Sequence, residues 1–268
     1  MNNQPIGILD SGVGGLSIWR EITKELPNES TIYLADSINC PYGDKTEEEI
    51  YNLAKRLVQF LLKKKVKLIV LACNTITVFS IDRLRTNFPQ IPIVGTVPAV
   101  KTAAKMTKNK KIGILSTPAT SKSKYQKELI DKFATDCKVI NIGSEKLVPL
   151  IEKGEIAGKK IGSVLKKALK KFIEKQVDVI ALGCSHFPFL KDTIEKIMGD
   201  KVKILDSGKA IARQVRRVLT NNDDLSLNKN PSYAFYSTGD AKELKTVAKK
   251  LVGAQVNDLI NSVQAISL

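Results

Sequence analysis

Short apolar runs alternate with longer amphipathic stretches along this chain. The runs predict strands at Ile6–Asp10, Thr31–Ala35, Leu68–Ala72, Ile91–Val94, Ile112–Ser116, Val139–Ile142, Val177–Leu182, Val202–Leu205 and Tyr233–Ser237. The stretches between them read as helices. The clearest covers 156–175, where Ile161, Val164, Leu165, Ala168, Leu169, Phe172 and Ile173 recur at the i, i+3, i+4 spacing of one apolar face. Strands alternating with helices predict an α/β fold with mostly parallel sheets covered on both faces. Leu68–Ala72 and Val177–Leu182 are nearly continuous in apolar residues, as central parallel strands are.

The pattern repeats itself loosely. Ile6-Gly7-Ile8-Leu9 returns as Ile112-Gly113-Ile114-Leu115, and LIVLACNT (68–75) is answered by VIALGCSH (179–186). Ile6 to Cys73 spans 67 residues and Ile112 to Cys184 spans 72. Near-equal offsets predict two similar halves, each with a cysteine after an apolar strand. The chain is expected to cross between them at Thr96–Val100, punctuated by Pro98, and to return at Ile204–Lys209. The expected domains are 1–97 plus 207–268, discontinuous, and 98–206.

In open α/β sheets, ligands bind beyond the carboxyl ends of the strands. Cys73 falls there, near the start of the next helix, a position that lowers a thiol pKa. Asn74 and Thr75 follow it with hydrogen-bonding groups. A buried cysteine acting as a small hydrophobe fits the same context. Cys184 has the same setting, and in extended chain it shares a side with His186, which can tune a thiol or carry a proton. A satisfied core histidine is the competing reading. Two cysteines at matching places would face each other across a cleft, one proton carrier on each face of a substrate. Cys40 and Cys137 lack this setting and read as structural or incidental. Asp10-Ser11-Gly12-Val13-Gly14-Gly15 follows the first strand. Its third glycine is misplaced for a dinucleotide fingerprint, and no Walker lysine follows. It reads as an anion-accepting turn at a helix N-terminus, or as a tight turn capped by Asp10. Residues 183–187 lack the final glycine of a hydrolase elbow, and a cysteine-hydrolase reading leaves Cys73 without a role.

Composition narrows the class. Hydrophobic residues make up 43% of the 268, too many for a disordered chain and enough for a sizeable core. Four scattered cysteines make no disulfide scaffold, and one histidine excludes a multi-histidine metal site. No apolar run approaches a membrane span, and no leader pattern opens the chain. The formal charge of +16 raises nucleic-acid binding. The lysines at 159, 160, 166, 167, 170 and 171 fall on the solvent side of the 156–175 helix, however, and no binding motif accompanies them. A solvated lysine-rich surface is the better reading, and nucleic acid is not an expected partner.

The motifs together resemble the cofactor-independent glutamate racemases of the aspartate/glutamate racemase superfamily. The resemblance runs over nearly the whole chain: IGILDSGVGGLS (6–17), LADSINCPYG (34–43), LACNT (71–75), VPLIEKG (148–154), LGCSHFP (182–188) and FYSTGD (235–240). The family more often has Thr at Ser185 and Tyr at Phe187. The resemblance implies two pseudo-symmetric flavodoxin-like domains with the active site in the cleft between them. It implies interconversion of L- and D-glutamate, with D-glutamate supplied to the peptidoglycan peptide, without pyridoxal phosphate, metal or nucleotide. It assigns Cys73 and Cys184 as the two acid/bases, Asp10 as assisting Cys73, and Glu152 and His186 as assisting Cys184. Asp10, Ser11, Tyr42, Gly43, Asn74, Thr75, Ser185 and His186 would hold the substrate. A cytoplasmic homodimer is implied as well. A racemase of the same superfamily acting on aspartate or another amino acid is the nearest alternative.

Overall fold

The computed structural model describes residues 2–253, 260 and 262–268. Among the described residues, ten strands form two wholly parallel sheets. The first holds β1 (Ile6–Asp10), β2 (Thr31–Ala35), β3 (Leu68–Leu71), β4 (Ile93–Gly95), β9 (Tyr233–Ser237) and β10 (Gln264–Ala265), in the order β10-β9-β2-β1-β3-β4. The second holds β5 (Lys111–Ser116), β6 (Lys138–Gly143), β7 (Val179–Gly183) and β8 (Lys203–Leu205), in the order β6-β5-β7-β8. Every residue of β1, β2, β3 and β7 is buried, which explains their unbroken apolar character.

The internal repeat is real in register. Leu9 pairs with Leu71, and Leu115 pairs with Leu182, so each cysteine lies two residues past the paired leucine of its strand. The order β2-β1-β3-β4 recurs as β6-β5-β7-β8. In both sheets the strand order reverses beside the first strand of the half, the switch point where such folds open a ligand crevice. Gly7 and Gly113 are also equivalent. A Cβ on Gly7 would stand 3.0 Å from Leu61 Cδ1, and one on Gly113 would stand 3.1 Å from Phe172 Cε1. Each half thus seats a large side chain from its covering helix on the same bare strand position.

Boundaries moved by one to three residues. The expected strand from Ile91 begins at Ile93, after Pro92, which has no N–H to give a ladder. The lysine-rich helix runs Lys159–Glu174, and Gly158, at φ 100°, ends the turn before it. It buries Ile161, Leu165, Leu169 and Phe172 and exposes the six lysines. Ile173, expected on the apolar face, is 50% exposed. The two-residue β10 was not foreseen. No helix among the described residues is long and apolar enough to cross a membrane.

One apolar cluster runs through both halves. It joins Val13, Leu16 and Trp19 to Leu147, Ile151, Phe187 and Leu190. Phe187 is fully buried there, so its ring packs without the hydroxyl the family usually carries.

Candidate active site

The site forms where the two sheets' carboxyl ends meet. Ser11, Tyr42, Gly43, Cys73, Asn74 and Thr75 from the first half line a closed pocket with Cys184, Ser185 and His186 from the second. Pro41, Thr117 and Val148 complete its wall. Cys73 and Cys184 are 5% and 6% exposed. Asp10 and Glu152 stand behind this wall. The residues that the resemblance assigned to the site therefore come together, in or directly behind this pocket. Thr117 was missed, yet the repeat contains the signal: aligning IGILST on IGILDS puts Thr117 where Ser11 stands.

The glycine loop explains how the halves meet. Asp10 ends β1 and accepts the Gly12 N–H at 2.9 Å through Oδ1. Its other oxygen accepts from Ser185 Oγ, also at 2.9 Å, across the cleft. The expected turn and a bridge between halves thus reside in one carboxylate. The Val13 N–H donates to Glu152 Oε1 at 2.9 Å, so the loop does hold an anion, contributed by the protein itself. Ser17 Oγ donates to the Ser185 carbonyl at 2.8 Å. The glycines make room for these partners. A Cβ on Gly12 would lie 2.1 Å from Glu152 Oε1, and one on Gly14 2.3 Å from His186 Nδ1. On the opposite wall, Thr75 Oγ1 and Thr117 Oγ1 are 3.1 Å apart, and both reach Thr120.

The two thiols have different company. Cys73 sits at the N-cap of the helix Asn74–Asn87, and Ser11 Oγ donates to its sulfur at 3.7 Å. The helix start was expected to lower its pKa. Instead it is pushed up to about 12. Burial is the largest cause and the nearby Asp10 carboxylate the next, and they outweigh the Ile76 N–H and the Ser11 hydroxyl. Asp10 is itself raised by burial, despite the His186 charge and its two hydrogen bonds.

Cys184 instead lies 3.7 Å from His186 Nδ1. His186 Nε2 makes a short hydrogen bond with Glu152 Oε1. Burial alone would depress the imidazole pKa. Hydrogen bonds to Cys184, Cys40 and Glu152, with the Glu152 charge, reverse this and hold it well above the ordinary value. Burial likewise opposes ionisation of Glu152, but His186 and the Val13 N–H hold its carboxyl below the usual range. This half therefore carries an imidazolium–carboxylate pair, whereas the first half carries a carboxylate alone. Cys40, read from sequence as structural or incidental, lies against that pair: its ligating atom and those of Glu152 and His186 all fall within 4.8 Å of one another. Its loop becomes adjacent to Glu152 only through tertiary packing. Cys137 is remote from the pocket, and its thiol contacts Asp136.

The arrangement has known counterparts. The family model for Asp/Glu/hydantoin racemases matches residues 6–215. A glutamate racemase of Ectopseudomonas mendocina is 39% identical over 251 residues, covering 94% of this chain and 95% of that protein. The crystal structure of glutamate racemase isoform RacE1 from Bacillus anthracis superposes with a TM-score of 0.90 at 31% identity, covering 100% of this chain and 99% of its own. That of the Francisella tularensis glutamate racemase in complex with D-glutamate gives 0.86 at 31% identity, covering 100% and 98%. With two registered halves, a thiol at each switch point and sequence likeness over nearly its whole length, the chain belongs to the Asp/Glu/hydantoin racemase family and, within it, to the glutamate racemases.

Proposed function

We propose that this protein interconverts L- and D-glutamate by moving a proton at the α-carbon between Cys73 and Cys184. The observation that carries the reading is the lining of one closed pocket by both thiols, one from each half. One thiolate removes the α-proton, and the opposite thiol delivers a proton to the other face. Asp10 serves Cys73; Glu152 and His186 serve Cys184. The substrate ammonium arriving near Asp10 and Cys73 opposes the burial and charge penalties that hold the Cys73 proton. Ser11, Asn74, Thr75 and Ser185, with the Tyr42-Gly43 turn, position the carboxylates and the ammonium. The α-carbanion is stabilised by preorganised donors to the α-carboxylate in a site closed to water. Entry then requires the halves to part. We take 1–97 plus 207–268 and 98–206 as the moving bodies, hinged near 96–100 and 204–209. Pairing of β9 with β2 supports this division, since it returns the chain to the first sheet. The product would feed the D-glutamate position of the peptidoglycan peptide. A cytoplasmic homodimer follows from the family resemblance, and sedimentation would test the assembly.

Incubating the reduced protein with L-glutamate in heavy water tests the reading. Optical rotation should vanish while deuterium enters the α-carbon, with no added cofactor. Rotation and α-hydrogen both unchanged, in folded protein, would overturn it. Turnover of L-aspartate alone would shift the assignment to that substrate.

A further inference from the structure

Racemisation leaves the Cys40 thiol without a task, although it lies against the pair that serves Cys184. We propose that Cys40, Glu152 and His186 form a binding site for a thiophilic divalent metal ion of the Zn2+ class, and that its occupation blocks the racemase.

The donor set is one sulfur, one imidazole nitrogen and one carboxylate oxygen, the types such ions select. Three protein ligands and an open fourth position describe a tetrahedral site accessible to solvent. The donors are gathered from three segments. Cys40 lies between the short turns Ser37–Asn39 and Tyr42–Asp44, Glu152 ends the helix Leu147–Glu152, and His186 follows β7. Their ligating atoms fall within 4.8 Å of one another, against about 3.4–3.6 Å between ligands of a tetrahedral Zn2+. His186 and Glu152, now hydrogen-bonded to each other, must separate slightly to share the ion. The backbone is otherwise in place, since the Val13 N–H already holds Glu152.

An entry path exists. A cavity of about 400 Å3 is lined by Cys40 and Glu152 and bordered by Asp240, Glu243 and Lys153. Its carboxylates outnumber its single lysine and favour a cation. On binding, the thiol proton and the proton between His186 and Glu152 leave to solvent, and the sulfur, nitrogen and oxygen lone pairs take their place. A metal-held imidazole is neutral and fixed, so it no longer supplies a charged partner to Cys184. The inhibitory effect rests on the racemase reading; the binding site does not.

The test titrates Co2+ into reduced, chelator-free protein and follows thiolate-to-cobalt charge-transfer absorption. The parent should develop the band at one equivalent, and Zn2+ should abolish it by displacement. Cys40→Ala should lose the band and bind Co2+ more than about tenfold more weakly, the lower end of what even outer-shell changes cost. A variant with Cys73, Cys137 and Cys184 all changed to Ser, keeping only the Cys40 thiol, should retain the band. It decides the matter if Cys40→Ala misfolds. No band in the parent, a band surviving in Cys40→Ala, or its loss from the Cys40-only variant would each overturn the site. Zn2+ should also inhibit parent turnover and spare Cys40→Ala. A band with unchanged parent turnover would keep the site and overturn the inhibition.

Discussion

The two halves of the cleft share strand order, register and the position of a cysteine, yet they surround those cysteines with opposite charge. Cys73 faces Asp10, with no imidazole in its half. Cys184 faces an imidazolium held by Glu152. Duplicated architecture therefore supplies the placement of each thiol, while the residues just beyond each strand set the charged groups around it. At equivalent positions Asp10 answers Ser116, and His186 answers Thr75. On the mechanism proposed above, each thiol accepts in one direction and donates in the other, and it need not match its opposite number because the substrate brings its own charge.

The strongest way to break the comparison is to delete either thiol. Cys73→Ala and Cys184→Ala should each lower racemisation by about 10²–10⁴-fold, the usual share of general acid–base catalysis. Each should still exchange the α-proton of one enantiomer with solvent, and the two variants should choose opposite enantiomers. Proton NMR in heavy water reads this directly; exchange of both enantiomers by either variant would contradict it.

His186→Asn should cost about 10–100-fold in kcat, and unequally in the two directions. The enantiomers have equal free energy, so kcat/KM must fall alike both ways, and only kcat exposes the asymmetry. A symmetric loss of kcat would place His186 in positioning rather than proton handling.

Gly14→Ala acts on the seam where the two halves meet. Its methyl group would sit 2.3 Å from His186 Nδ1 and 2.6 Å from Ser185 Oγ, so the halves must stand apart. We expect kcat/KM to fall about tenfold, at a stability cost of about 1–3 kcal/mol in chemical denaturation. Gly158→Ala meets nothing within 4 Å but strains a positive φ, so it should cost stability without touching turnover.

The smallest effect is on stability against pH. His186 is raised in the fold, so its contribution is complete below about 6.5, its unfolded value, and disappears as pH rises through the folded value. Glu152 is lowered, so its contribution is present above about 4.3 and disappears as pH falls through its folded value. Thermal melts should therefore decline on the alkaline side for the parent and flatten there for His186→Asn. An unchanged alkaline slope would show that the pair contributes nothing.

Much of this was legible in the chain. Strands buried on both faces leave an unbroken apolar run, and the IGIL repeat fixed the pairing of the halves in advance. That both Cys73 and Cys184 line one pocket followed from their places at strand ends. What escaped depends on packing. Cys40 sits in short turns with no period to read. Thr117 was visible only to an alignment of one half on the other. The Cys73 pKa moved opposite to expectation because burial and Asp10 are tertiary facts, whereas the helix start is a local one. β10 is two exposed residues with no apolar alternation to announce it.

The return of the chain to its first sheet has a consequence for synthesis. All four strands of the second sheet are complete once Leu205 has been made. The first sheet must wait for Tyr233–Ser237 to cover the edge of β2. On a ribosome that interval is on the order of seconds. The half begun first is finished last, and the nascent protein carries Thr31–Ala35, every residue of which is buried in the finished fold, as an uncovered edge until then.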